Sequence, residues 1–309
     1  MPCRFIPAVL LAVTLSSGSA RAAKPSTRPV EQIDRVLIIS VDGLRPDLLA
    51  RAYTPNLHGL MRGGSFTLWA RTTAAAVTLP SHVSMLTGVT PKRHEIDWNR
   101  DLPLAKPVYP KGSTLFDLAH RGGYSTALVA GKSKFEVFAR PGSLDWAWVA
   151  PKDRPTTGPT SKPATQSVAA AGGETAVPAE EWPDDSAKAK KENLSDAVVA
   201  EHAVELIREH RPEVTVVHFP HVDNVGHVIG WGTPEQVVAV EEADAAVGVV
   251  LRALRECNLD ESTLIIVTAD HGGAGRSHGP DDARSRHIPW IVAGPGIRRD
   301  FDLTRYANL

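Results

Sequence analysis

Cysteine is nearly absent from this chain: only Cys3 and Cys257 occur among 309 residues. A framework of several disulfides is therefore excluded. Aromatic residues are few, at 6%, and are not interleaved with basic ones, which argues against a base-stacking surface. Net charge is also lacking, since 34 Lys and Arg against 35 Asp and Glu leave −1. That balance gives no electrostatic case for a nucleic-acid polymer or an anionic membrane surface. The apolar run from Phe5 to Leu15, broken only by Pro7 and Thr14, is too short to span a bilayer as a permanent helix.

That run reads instead as the core of a secretory leader. Arg4 precedes it, and Ala20-Arg21-Ala22 offers a small-x-small cleavage site. The expectation is a signal peptide over residues 1–22, cut after Ala22, and a secreted or periplasmic mature protein without a stable membrane anchor. Cys3 would leave with the leader, so no intramolecular disulfide can form. Cys257 ends an apolar-periodic stretch and suits packing better than chemistry.

What is present is material for a sizeable core, with 42% hydrophobic and 22% charged residues. Apolar runs alternate with helical periodicities from Val36 onward. This predicts an α/β fold with a mostly parallel central sheet and helices on both faces. Residues 150–191 differ in kind. Pro, Thr, Ser, Ala, Gly and charges dominate there, and too little apolar surface is available to offset ordering entropy. They are expected to be a disordered insertion within one catalytic domain over residues 33–309, because acids on both sides of it build one site.

Three apolar runs each deliver an acid just past their ends. Val36 to Val41 leads to Asp42-Gly43, Val214 to Phe219 leads to Asp223 with His227 four residues on, and Leu264 to Val267 leads to Thr268-Ala269-Asp270-His271-Gly272-Gly273. In open α/β sheets, sites form beyond the carboxyl ends of strands. Any one Asp at a strand end is more often a cap or turn residue than a ligand. Three of them with His partners point to metal. Dications take imidazole nitrogen and carboxylate oxygen, and a pair of them clamps an in-line displacement. Thr78-Leu79-Pro80-Ser81-His82 adds a hydroxyl just ahead of a helical stretch, where backbone N–H groups favour a phosphate.

Taken in order, Val41-Asp42-Gly43, Thr78 to His82 with Thr87-Gly88, Asp223 to His227, Thr268 to Gly272 and His278-Gly279 resemble the alkaline phosphatase superfamily. The branch most similar is type I phosphodiesterase/nucleotide pyrophosphatase. The resemblance implies an alkaline-phosphatase-like fold and two Zn²⁺. One would be held by Asp223, His227 and His278, the other by Asp42, Asp270 and His271, with Thr78 as the nucleophile bound to the second. Asp/His ligation alone would also admit Mn²⁺ or Fe. His278 is preferred over nearby His287 for the Gly that follows it. Sulfatase relatives need Cys or Ser two residues before the Pro and Arg two after it; Thr78 and His82 stand in those places, which disfavours sulfate-ester hydrolysis.

The family typically carries Asn where Ser81 stands, helping to hold the phosphate. Asn99, with Lys132 and Lys134 in Gly131-Lys132-Ser133-Lys134-Phe135, is similar to the substrate contacts of phosphonoacetate hydrolases and is expected to replace or assist Ser81. As surface charges the two lysines would need no function. His82 is expected to pack or cap behind the nucleophile, and His218 and His221 to support ligands or fill core. The implied activity is cleavage of phosphodiester or pyrophosphate bonds in a small substrate through a phosphothreonine. A phosphomonoesterase or phosphonate hydrolase on the same site, and a non-catalytic metal-binding module, are the alternatives.

Overall fold

The β-branched runs read from the sequence become the middle of a single sheet. The computed structural model describes residues 30–100, 107–151 and 195–306. The expected leader, and the expected insertion beyond Pro151, lie outside the described residues. Among these residues the chain runs β1 (Arg35–Val41), α1 (Pro46–Arg51), α2 (Pro55–Gly63), β2 (Gly64–Arg71), α3 (Thr78–Thr87), α4 (Pro91–His94), α5 (Leu115–Arg121), β3 (Thr126–Ala130) and β4 (Trp146–Val149). It continues with α6 (Asp196–His210), β5 (Val214–Phe219), α7 (His221–Val228), α8 (Pro234–Glu256), β6 (Thr263–Thr268), α9 (Ala283–Arg286), β7 (His287–Ala293) and β8 (Phe301–Asp302).

The sheet has eight strands in the order β4-β3-β5-β1-β6-β7-β2-β8. Only β7 runs against the rest, pairing antiparallel with both β6 and β2. β1 lies between β5 and β6, with Val41 beside Phe219 and Ser40 beside Thr268. That register sets the carboxyl ends of three acid-bearing strands side by side. Alternate residues of β1 face opposite ways. Leu37, Ile39 and Val41 pack with α1, α2, α6 and α8, while Ile38 packs with α3, α5 and Phe135. Each fully buried Leu, Ile or Val in these two cores contributes roughly 1.5–3 kcal/mol of transfer free energy. No helix of the described residues is long and apolar enough to cross a membrane.

Several local features refine the sequence reading. Pro289 stands inside a strand with neighbours on both sides, a place a donor-less residue normally avoids. The β2–β7 register shifts between Thr67 and Ala70 opposite it, so the missing N–H falls at a bulge. At α8, Thr233 accepts from Gln236 N–H at 3.3 Å, but the Gln236 side chain reaches Gly232 N–H at 2.7 Å in place of Thr233's own. The return bond of a capping box therefore falls on the residue before the N-cap. The segment after β5 is the helix α7, which carries both Asp223 and His227.

Candidate metal centre

Asp42 follows β1, Asp223 sits in the first turn of α7 after β5, and Asp270 follows β6. Gly43 lets the chain turn here: its φ is +73°, and its N–H donates to Asp270 Oδ1 at 3.2 Å. All three acids are buried, as is His271.

The histidines are oriented by backbone carbonyls. His271 Nδ1 donates to Gly272 O at 2.8 Å, His278 Nδ1 to Ala76 O at 2.9 Å, and His227 Nδ1 to Arg276 O at 3.1 Å. A carbonyl only accepts, so each Nδ1 carries the proton and each Nε2 presents a lone pair. Those lone pairs converge. His227 and His278 Nε2 are 3.1 Å apart, and lie 3.4 and 3.8 Å from Asp223 Oδ1. His271 Nε2 is 3.3 Å from both Asp42 Oδ1 and Asp270 Oδ2, and 3.9 Å from Asp223 Oδ1. The sequence-predicted ligands thus gather in two adjoining groups, with His271 near both, whereas His287 is turned against Trp69.

Asp42 Oδ1, Asp223 Oδ1 and Asp270 Oδ2 are buried without a hydrogen-bond partner. Such orphaned atoms are rare in folded proteins. These three oxygens face imidazole Nε2 acceptors, which matches the electron-rich cage a dication requires. The mixed imidazole and carboxylate set fits zinc, manganese or iron better than magnesium or calcium. Burial holds His271 and His278 below the ordinary imidazole range, which keeps them in the neutral, ligating form. Asp270 is pushed up by burial and by Asp42 and Asp223, as expected for crowded carboxylates without enough cation.

Supports behind the ligands were only partly legible. His218 Nε2 lies 3.0 Å from Asp42 Oδ2. His82 Nδ1 donates to Thr78 O at 2.8 Å, and its Nε2 then accepts from Ser40 Oγ at 2.8 Å. Trp231 went unnoticed in the sequence. Its ring packs edge-on to His227 and His278, and its Nε1 donates to Gly43 O at 3.1 Å. A Cβ on Gly226 or Gly273 would come within 2.6 or 2.3 Å of that ring, so these two glycines were its signal.

Thr78 opens α3, and its Oγ1 is 3.2 Å from His271 Nε2. Asn99 Oδ1 accepts from Leu79 N–H at 2.9 Å and from Lys134 Nζ at 3.2 Å, which ties both residues to the start of α3. Ser81 points elsewhere: its Oγ lies 3.1 Å from Thr73 Oγ1 and accepts from Val77 N–H at 3.3 Å. Lys132, expected to meet substrate, is buried between carboxylates, with Nζ 2.7 Å from Asp42 Oδ2 and 2.5 Å from Asp223 Oδ2. Burial alone would lower the pKa of its ammonium, but Asp223 and Asp42 raise it well above the ordinary lysine value.

Sheet order and strand-end acids together define an α/β protein with the alkaline-phosphatase-like architecture. Residues 36–282 match the family described as type I phosphodiesterase / nucleotide pyrophosphatase, and the chain belongs to that family. It is 25% identical over 257 residues to an uncharacterized pyrophosphatase/phosphodiesterase of Schizosaccharomyces pombe, covering 78% of this chain and 45% of that protein. The chain spans about half the length of the curated relatives it matches. Murine ectonucleotide pyrophosphatase/phosphodiesterase 5 superposes with a TM-score of 0.61 at 14% identity, over 89% of this chain and 95% of that one. An inactive form of that murine protein holds AMP. A phosphonate monoester hydrolase of Agrobacterium radiobacter gives a TM-score of 0.58 at 17% identity, covering 89% and 74%.

Proposed function

We propose that this chain hydrolyses phosphodiester or pyrophosphate bonds in small substrates, using two Zn²⁺ and a covalent phosphothreonine on Thr78. The observation that carries the reading is the convergence of three imidazole lone pairs and three partnerless carboxylate oxygens beside one hydroxyl. Asp223, His227 and His278 would hold one ion, and Asp42, Asp270 and His271 the other. When bound, the ions supply charge neutralisation and make the Thr78 hydroxyl a usable nucleophile near neutral pH.

The chain's own residues do the rest. Thr78 Oγ gives its proton to solvent and attacks phosphorus; the Oγ–P bond forms as the bond to the leaving oxygen breaks, and that oxygen departs with a proton from solvent. Water then attacks the same phosphorus, the Oγ–P bond breaks, and Thr78 regains its proton as the phosphomonoester product leaves. The Asn99 amide NH₂ would supply a donor to the phosphoryl oxygens. We further propose that residues 1–22 direct export to the periplasm or the medium.

A second reading keeps the centre and changes the substrate to a phosphomonoester or a phosphonate. The Lys134–Asn99 contact beside Thr78 favours it, because an added cation suits a substrate with an extra negative charge. Hydrolysis of bis-p-nitrophenyl phosphate is to be compared with that of p-nitrophenyl phosphate, after EDTA and after added zinc. Faster, zinc-restored diester cleavage supports the first reading. A monoester preference moves the assignment to the second, and no metal-dependent turnover of either substrate leaves a binding module.

A further inference from the structure

The two groups of ligand candidates share one feature that neither needs for holding metal: a lysine between them. Lys132 lies two residues beyond β3. Gly131 N–H donates to His218 O at 3.1 Å, and a Cβ on Gly131 would lie 2.4 Å from Pro220. The chain is thereby pressed against the end of β5, and the side chain that follows enters the centre. Its Nζ touches Asp42, a member of one group, and Asp223, a member of the other. The contacting atoms are the Oδ2 atoms, while the Oδ1 atoms of the same two residues remain without partners.

Three buried carboxylates from three neighbouring strand ends repel one another, and a buried charge lacking a counter-ion destabilises the fold. Lys132 is the only lysine or arginine that the described ion pairs bring to these acids. Its ammonium and a dication compete for the same negative charge, since each lowers the carboxylates' attraction for the other.

We propose that Lys132 is a resident counter-ion that keeps the metal-free centre assembled and weakens its hold on dications. The proposal rests on the metal-centre reading of Asp42 and Asp223. It gives Lys132 a role separate from substrate contact: setting how readily the site loads and unloads metal.

The test uses the full chain stripped with a chelator, comparing the parent protein with Lys132→Met. Zinc affinity is read by competition with a chromophoric chelator, and melting temperature is read without metal. The variant is expected to bind zinc about tenfold or more tightly, because the competing charge is gone. Its metal-free melting temperature is expected to fall. Lys111→Met, at an exposed pair with Glu95, should change neither. Should Lys132→Met fold only with zinc present, that is the loss of metal-free stability in its extreme form, and Lys132→Gln then supplies the affinity. The proposal stands only if both changes appear. Zinc affinity within about twofold of the parent overturns it whatever the melting temperature does. Absence of zinc binding by the parent would instead overturn the metal-centre reading beneath it.

Discussion

His227 and His278 aim Nε2 at Nε2 across 3.1 Å, while a backbone carbonyl occupies each Nδ1. Two lone pairs brought this close repel unless a cation or a proton lies between them. His278→Ala and His227→Ala should each weaken zinc binding by more than about 10- to 100-fold, the range for losing only an outer-shell partner of a ligand. Equilibrium dialysis should still find the second ion bound at Asp42, Asp270 and His271. Loss of both ions together would mean that the two groups are one site.

Trp231 holds those two imidazoles in place and leaves no room behind itself. Gly226→Ala should destabilise the protein by about 1–3 kcal/mol, the range for overpacking a filled core. It should also weaken zinc binding, since the ring's displacement moves His227. Denaturant unfolding with and without zinc checks both effects.

Asp196 gives a pH dependence whose sign is fixed. Burial raises its pKa from 3.8 to about 8, outweighing the hydrogen bond from His221 N–H, and its Oδ2 has no partner. The folded chain therefore keeps a proton that the unfolded chain releases near pH 4. Stability is fully present below that pH and is lost as pH rises toward 8, by up to about 1.4 kcal/mol per pH unit. Asp196→Asn should flatten that slope between pH 4 and 8. An unchanged slope in urea titrations would assign the dependence to other groups.

Asn99 receives two donors on Oδ1, from Leu79 N–H and Lys134, which turns its amide NH₂ away from both. Asn99→Ala should lower kcat by about 10²- to 10³-fold if that NH₂ meets the transferring phosphoryl group. Lys134→Met should act in the same direction and less strongly, by freeing the amide to rotate. Steady-state kinetics on the better of the two nitrophenyl esters separates the effects.

The central strands and their acids were legible because buried parallel strands are continuous β-branched runs, and the residue after each run falls at the sheet's carboxyl edge. Lys132 stood out in the sequence as a substrate contact; its place between Asp42 and Asp223 was not legible, because the Gly131–Pro220 contact that turns it inward leaves no local pattern. The edge strand β4 was missed because Trp-Ala-Trp-Val is too short to show a period. Its tryptophans stack on His210 and His202 of α6, contacts that no local pattern encodes. Ser81 stood in the right motif, but the turn before α3 aims its hydroxyl at Thr73, and backbone geometry of that kind lies outside any spacing rule.

The most direct measurement compares Thr78→Ala with the parent after both are stripped and reloaded with zinc. Turnover should fall by more than about 10³-fold while bound zinc stays equal, and a phosphorylated Thr78 peptide should be recovered only from the quenched parent. Undiminished turnover by the Thr78→Ala protein would contradict the account.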